Sequence, residues 1–236
     1  MRRRFLVGLL VLYAALVSAL VFGPHVFAKL STPTATPCTG TLSRTTAGDL
    51  VVPAGAVCRV SGAVIEGSVT VQRDAYFEAS ASQIRGTVNA SGSLTVFLHD
   101  GTSVAGSVVI AATPQLFLYK TAVSGSVKVT GAVATGFGHV QVCATTAGRI
   151  EVRGSGPDVL IGDPQGGCPG NQVRQDVVIA GNETMGELQV SGNEISGSLV
   201  VTGNGGASPK HVVNNTVTGM VDVWDNAAPF DASSNG

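Results

Sequence analysis

Few residues in this chain could act on another molecule: four histidines, four cysteines and two small groups of aspartates. Paired carboxylates suit acid and base work on a glycosidic bond. A polysaccharide-active site would therefore fall in the 156–176 segment, where Asp158, Asp163 and Asp176 lie close in sequence. Asp163, however, sits in the turn-like run Asp-Pro-Gln-Gly-Gly and Asp176 opens a strand, so no pair at bond-flanking distance is legible. Asp222 and Asp225, beside Trp224, fall in the last repeat and read as a cap. No Gly-x-Ser-x-Gly turn opens a helix. No Cys-x-x-Cys or histidine-rich spacing marks a metal site. The expectation is a protein that is not an enzyme and holds no cofactor and no metal. His25 lies in an apolar N-terminal run and His211 reads as a turn residue.

The aromatic residues are better candidates. Phe77, Phe97, Phe117 and Phe137 recur every twenty residues, and two positions further on stand Ala79, His99, Tyr119 and His139. Residues i and i+2 of a strand share a face, so these form one stripe. The opposite face carries Val96 and Leu98, Leu116 and Leu118, Val140 and Val142. If the aliphatics fill the interior, Phe97, His99, Phe117, Tyr119, Phe137 and His139 face solvent, where they would stack on sugar rings or dock a protein. In the other reading the phenylalanines stack inside and the leucines lie under a covering loop. The sequence leaves both open.

The elements that position this stripe come from a repeat. Gly followed by an alternating strand recurs at Gly48, Gly67, Gly86, Gly106, Gly125 and Gly148, and the pattern resumes at Gln175, Gly197 and Gly219. A short apolar element precedes most anchors and a further strand lies midway, as in Leu-Thr-Val-Phe-Leu-His. Three short strands in about twenty residues is the arithmetic of a parallel β-helix. Nine such coils, about 4.8 Å apart, predict a rod on the order of 40 Å long. The fold class is all-β, a right-handed parallel β-helix of about nine coils of 19–23 residues. With 31 glycines and 12% charged residues, the composition agrees with strands and turns throughout.

Asn171, Asn182, Asn193, Asn204, Asn215 and Asn226 recur every eleven residues, two aligned columns per coil of twenty-two. They predict corner ladders, with Asn in the left-handed backbone region and its amide bonded to the Asn above and below. Asn89, Asn182 and Asn214 head glycosylation sequons. Four cysteines allow three pairings. The repeat favours Cys38 with Cys58, about one coil apart and tying the first edge to its neighbour, and Cys143 with Cys168, stapling the base of an extruded loop.

Residues 1–28 have the form of a signal peptide: a Met-Arg-Arg-Arg start, an apolar run at 5–23, and Val-Phe-Ala at 26–28. An uncleaved anchor is the alternative, and it provides the one expected membrane contact. Either reading exports residues 29–37, a Ser/Thr/Pro-rich spacer, and the β-helix domain at 38–236, to the cell surface or beyond. Without Arg2, Arg3 and Arg4, 11 of the 14 basic residues face 15 acidic ones, a balance of about −4. No basic stripe exists to neutralise phosphates, so nucleic acid is excluded as a partner.

Over roughly residues 38–230, the anchors, together with the Val-Pro-Ala-Gly-Ala-Val-Cys of the first coil, resemble right-handed parallel β-helix proteins of the pectin-lyase-like architecture. More particularly, they resemble a group of uncharacterised exported β-solenoid proteins. The resemblance implies a fold; the lyases and hydrolases of that architecture further imply clustered aspartates with calcium, or with an Arg or Lys, on one sheet. Only Gly138 and His139 match the hydrolase pattern, and Val140 stands where its second glycine would be. The expected role is a structural or binding module contacting glycan or envelope polymer; self-association through open ends is a further possibility.

Overall fold

The computed structural model describes residues 35–134, 138–227 and 230–236. The signal or anchor expected at 1–28 lies outside the described residues, as does Phe137. Seven of nine coils carry a long strand, a two-residue strand and an anchor strand, as in Val57–Ser61, Val64–Ile65 and Val69–Val71; in the other two the short and anchor strands run together as Ala122–Thr130 and Thr146–Arg153. The long strands stack into a ten-stranded sheet, and the short and anchor strands into a 17-stranded one. Equivalent strands pair in parallel, for example Val88↔Val108 and Val96↔Leu116. The protein is the all-β parallel β-helix that its repeat predicts. Thr36–Pro37, at the end of the segment read as a spacer, already pairs with Leu50–Val51.

The anchors build one corner. Gly106 N donates to Gly86 O at 3.0 Å and Gly125 N to Gly106 O at 2.9 Å. A Cβ on Gly125 would lie 2.4 Å from Ser107 Oγ and 2.7 Å from Gly106 O, so a side chain there would push the coils apart. The next residue completes the corner: Ser68 Oγ accepts from Thr87 N, Ser107 Oγ from Ser126 N and Asp176 Oδ1 from Ser198 N. Inside, Val88, Val108, Val127, Ile150, Val177 and Leu199 line the anchor side, and Val96, Leu98, Leu116, Leu118, Val140 and Val142 line the long-strand side, all fully buried. Lys210 also points inward, its Nζ donating to Gly206 O at 2.8 Å and Ser208 O at 3.1 Å.

The asparagines form the two ladders their spacing predicts. Asn171 Nδ2 donates to Asn193 Oδ1, and Asn193 Nδ2 to Asn215 Oδ1, each at 2.8 Å; the other column runs Asn182, Asn204, Asn226. Asn235 extends the first column, which the eleven-residue count stops short of. The expected left-handed backbone, however, belongs to the residue before most ladder positions: Gly192, Gly203, Asn214 and Asp225 have φ of 67°, 62°, 58° and 53°. That residue turns the corner so that the Asn can point inward and reach carbonyls such as Ile161 O. Asn182 is fully buried, which bars it as a glycan acceptor. Toward the N-terminus hydroxyls take over the same columns, as in Ser93 to Thr113 at 3.0 Å.

Both disulfides pair as the repeat predicts, with Cα separations of 5.5 Å for Cys38–Cys58 and 5.0 Å for Cys143–Cys168. Bonds of this kind persist in an oxidising environment outside the cytosol. Among the described residues no helix is long and apolar enough to cross a membrane.

Candidate functional site: the outer face of the ten-stranded sheet

Because the lumen takes the aliphatic residues, the alternate positions of the long strands face outward. One outward column runs the length of the sheet. Register places Arg59 beside Glu78, Glu78 beside Phe97, and Phe97 beside Phe117. From Phe117 it continues through Gln141, Leu160, Gln189, His211 and Asp231. Phe97 and Phe117 are therefore half-buried on the outside, with His99 and Tyr119 two positions along on the same face.

Phe77 departs from the expected column. It lies opposite Val96 and is fully buried in the lumen, because 19 residues rather than 20 separate paired positions between these coils. A shift of one residue turns a strand side chain to the other face. His139 is displaced too, although it stays outside: it pairs with Gln115, because Phe117↔Gln141 spans 24 residues. Gln189, which alternates like an anchor-strand residue, belongs instead to this sheet, opposite Leu160, and Glu187 stands just before its strand, its N donating to Asp158 Oδ1. The eleven-residue half-repeat reads alike on either face, so its sheet is not legible. His211, read as a turn residue, stands in the strand Lys210–Val213.

The rings pack side by side. Phe97 stacks on His99 with centroids 4.2 Å apart and meets Phe117 edge-on at 5.8 Å; Phe117 and His139 lie 6.2 Å apart. Lys120 Nζ sits 5.1 Å from the Tyr119 ring centroid. Toward the N-terminal coils the strip ends in a hydrogen-bonded cluster that the sequence gives no sign of. Glu78 accepts from Tyr76 Oη at 3.0 Å and from Arg59 Nε at 3.1 Å, and His99 Nε2 lies 3.3 Å from its other oxygen. Burial pushes the Glu78 carboxyl up, but the hydrogen bonds from Tyr76, His99 and Arg59 outweigh it and leave the group below its ordinary value. Burial, followed by the bond to Glu78, holds the Tyr76 hydroxyl above its ordinary value. On the other flank His139 Nδ1 is 3.5 Å from Asp158 Oδ2.

The three aspartates of the 156–176 segment do separate jobs. Asp158 Oδ1 accepts from Glu187 N at 3.1 Å, Asp163 Oδ1 accepts from Gln189 Nε2 at 2.8 Å, and Asp176 Oδ1 accepts from Ser198 N at 3.0 Å at the anchor corner. Among the described residues no three His, Cys, Asp or Glu side chains gather as a cation site. Comparison with protein families, with curated proteins and with solved structures returned no match.

Proposed function

We propose that this protein is an exported binding module whose outer long-strand face holds a glycan or cell-envelope polymer. The observation that carries the reading is the outward aromatic strip of Phe97 and Phe117, with His99, Tyr119 and His139 around it. Half-exposed rings offer apolar faces to the C–H surfaces of sugars, and the neighbouring Tyr hydroxyl and His nitrogens offer hydrogen bonds to their hydroxyls. The coil spacing of about 4.8 Å repeats these contacts along the rod, which suits an extended polymer better than a compact ligand. Formed disulfides support delivery to an oxidising compartment, where such polymers are found.

The test is retention of the intact protein on isolated cell-envelope polysaccharide, with bound and free fractions measured and the supernatant assayed for released sugar. Retention without release is expected, and Phe117→Ala with Tyr119→Ala should abolish it while leaving the far-UV spectrum unchanged. Release of sugar would favour a polysaccharide-active enzyme. If nothing is retained, the glycan reading falls.

A further inference from the structure

The same outward column continues past the aromatic strip into a different surface. Between the two, the loop closed by Cys143 and Cys168 folds onto the sheet: Cys143 lies beside outward-facing Tyr119 in register, yet it is only 2% exposed. The far side of this loop forms a wall. Against it the last coils leave a groove of about 480 Å3, within the range of small-ligand sites. Asp163, Gln165, Glu187, Gln189, His211 and Asp231 are among the residues that line it.

The wall is held in place by more than the disulfide. Asp163 and Cys168 form a two-residue antiparallel bridge, and Asp163 Oδ1 accepts from both Gly166 N at 3.0 Å and Gln189 Nε2 at 2.8 Å. Pro164 rests on the next coil at Gly192, where an added Cβ would lie 2.5 Å from its Cγ. The groove is therefore preformed and does not depend on a ligand to shape it. Its lining differs from the strip in charge. Glu78 in the strip is paired with Arg59, whereas the carboxylates of Glu187 and Asp231 meet no cation or donor among the described residues.

We infer that this groove is a second subsite for the same polymer, and that it takes amino-bearing sugar units. The inference rests on the glycan reading of the aromatic strip. Three carboxylates attract an ammonium group and repel a uronate, while Gln189 and His211 supply polar contacts for ring hydroxyls. Three coil steps separate Phe117 from Gln189 along the column, about 14 Å, a distance that a short oligosaccharide lying along the rod spans.

The experiment compares binding of the intact protein to chitosan and to its fully N-acetylated counterpart by depletion from solution. Three forms are used: the wild type, Glu187→Gln with Asp231→Asn, and Phe117→Ala with Tyr119→Ala. Among the described residues neither Glu187 nor Asp231 has a side-chain hydrogen bond to lose, so the groove variant should keep the wild-type fold, which circular dichroism checks. It is expected to bind chitosan at least tenfold more weakly, with the acetylated polymer within twofold of wild type. Raising salt should weaken the wild type on chitosan toward the groove variant. Unchanged chitosan affinity in the groove variant, or no chitosan binding by the wild type, overturns the inference. The strip variant separates the two ideas. Loss of both polymers upholds the strip. Retention of both by the strip variant sinks the strip reading, whatever the groove variant does.

Discussion

Phe77 and Phe117 stand one above the other in a twenty-residue count, yet they meet opposite environments. Phe77 fills the lumen, so Phe77→Ala should cost about 3–5 kcal/mol. Phe117 is half-buried on the outer face, and Phe117→Ala should cost clearly less stability while abolishing polymer retention. Urea unfolding of the two variants, set beside the retention assay, checks the contrast; equal losses of stability would contradict the assignment of faces. Glu78 gives a pH prediction with a definite sign. Its folded value is depressed, so its stabilising contribution is present above the unfolded value near 4.5 and fades as pH falls through the lower folded value. Urea midpoints measured from pH 7 to pH 3 should therefore fall more steeply for the wild type than for Glu78→Gln. Superimposable acid limbs would show that the cluster with Tyr76, Arg59 and His99 is not formed in solution.

At the scale of elements, the corners hold the rod together. Asn193 accepts from Asn171 N and Nδ2 and donates to Asn215 Oδ1 and Ile161 O, all in the interior. Asn193→Ala orphans several buried groups at once and should destabilise by about 2–4 kcal/mol. Asn89→Ala, at an exposed strand position, should stay within about 0.5 kcal/mol of wild type. Denaturant midpoints of the pair test whether the ladder, rather than asparagine as such, matters. Gly125→Ala addresses the other corner: its Cβ would press on Ser107 Oγ and Gly106 O, so the melting temperature should drop. An unchanged melting temperature would mean that the coils can separate there without cost.

The β-helix domain is close to one-dimensional, since each coil touches mainly its neighbours. Its edges and insertions therefore decide how it fails. Cys143–Cys168 closes a 25-residue span, and the chain-entropy account assigns such a link about 3.5 kcal/mol. Replacing both cysteines by serine should lower the unfolding free energy by about that amount. It should also loosen the wall of the C-terminal groove, with chitosan affinity falling further than retention on the aromatic strip. Equal falls on both polymers would show that the loop supports the rod generally and not the groove in particular.

What the sequence determined alone is periodic. The anchor interval, the eleven-residue asparagine step and the cysteine spacing each repeat with the coil, and repetition is what a stacked fold writes into its chain; the coils, the ladders and both disulfides follow from it. What only the tertiary structure decided is register. Strand side chains alternate with a period of two, so a coil that is one residue shorter or four longer moves a side chain to another face or column. That put Phe77 in the lumen and His139 beside Gln115, while strand pairing alone assigned Gln189 to the long-strand sheet. The Glu78 cluster draws Arg59 and His99 from coils 19 and 21 residues away, and the groove joins the loop closed by Cys168 to strands of the last coils; strand pairing and the disulfide bring these together, and no local pattern of residues could announce them.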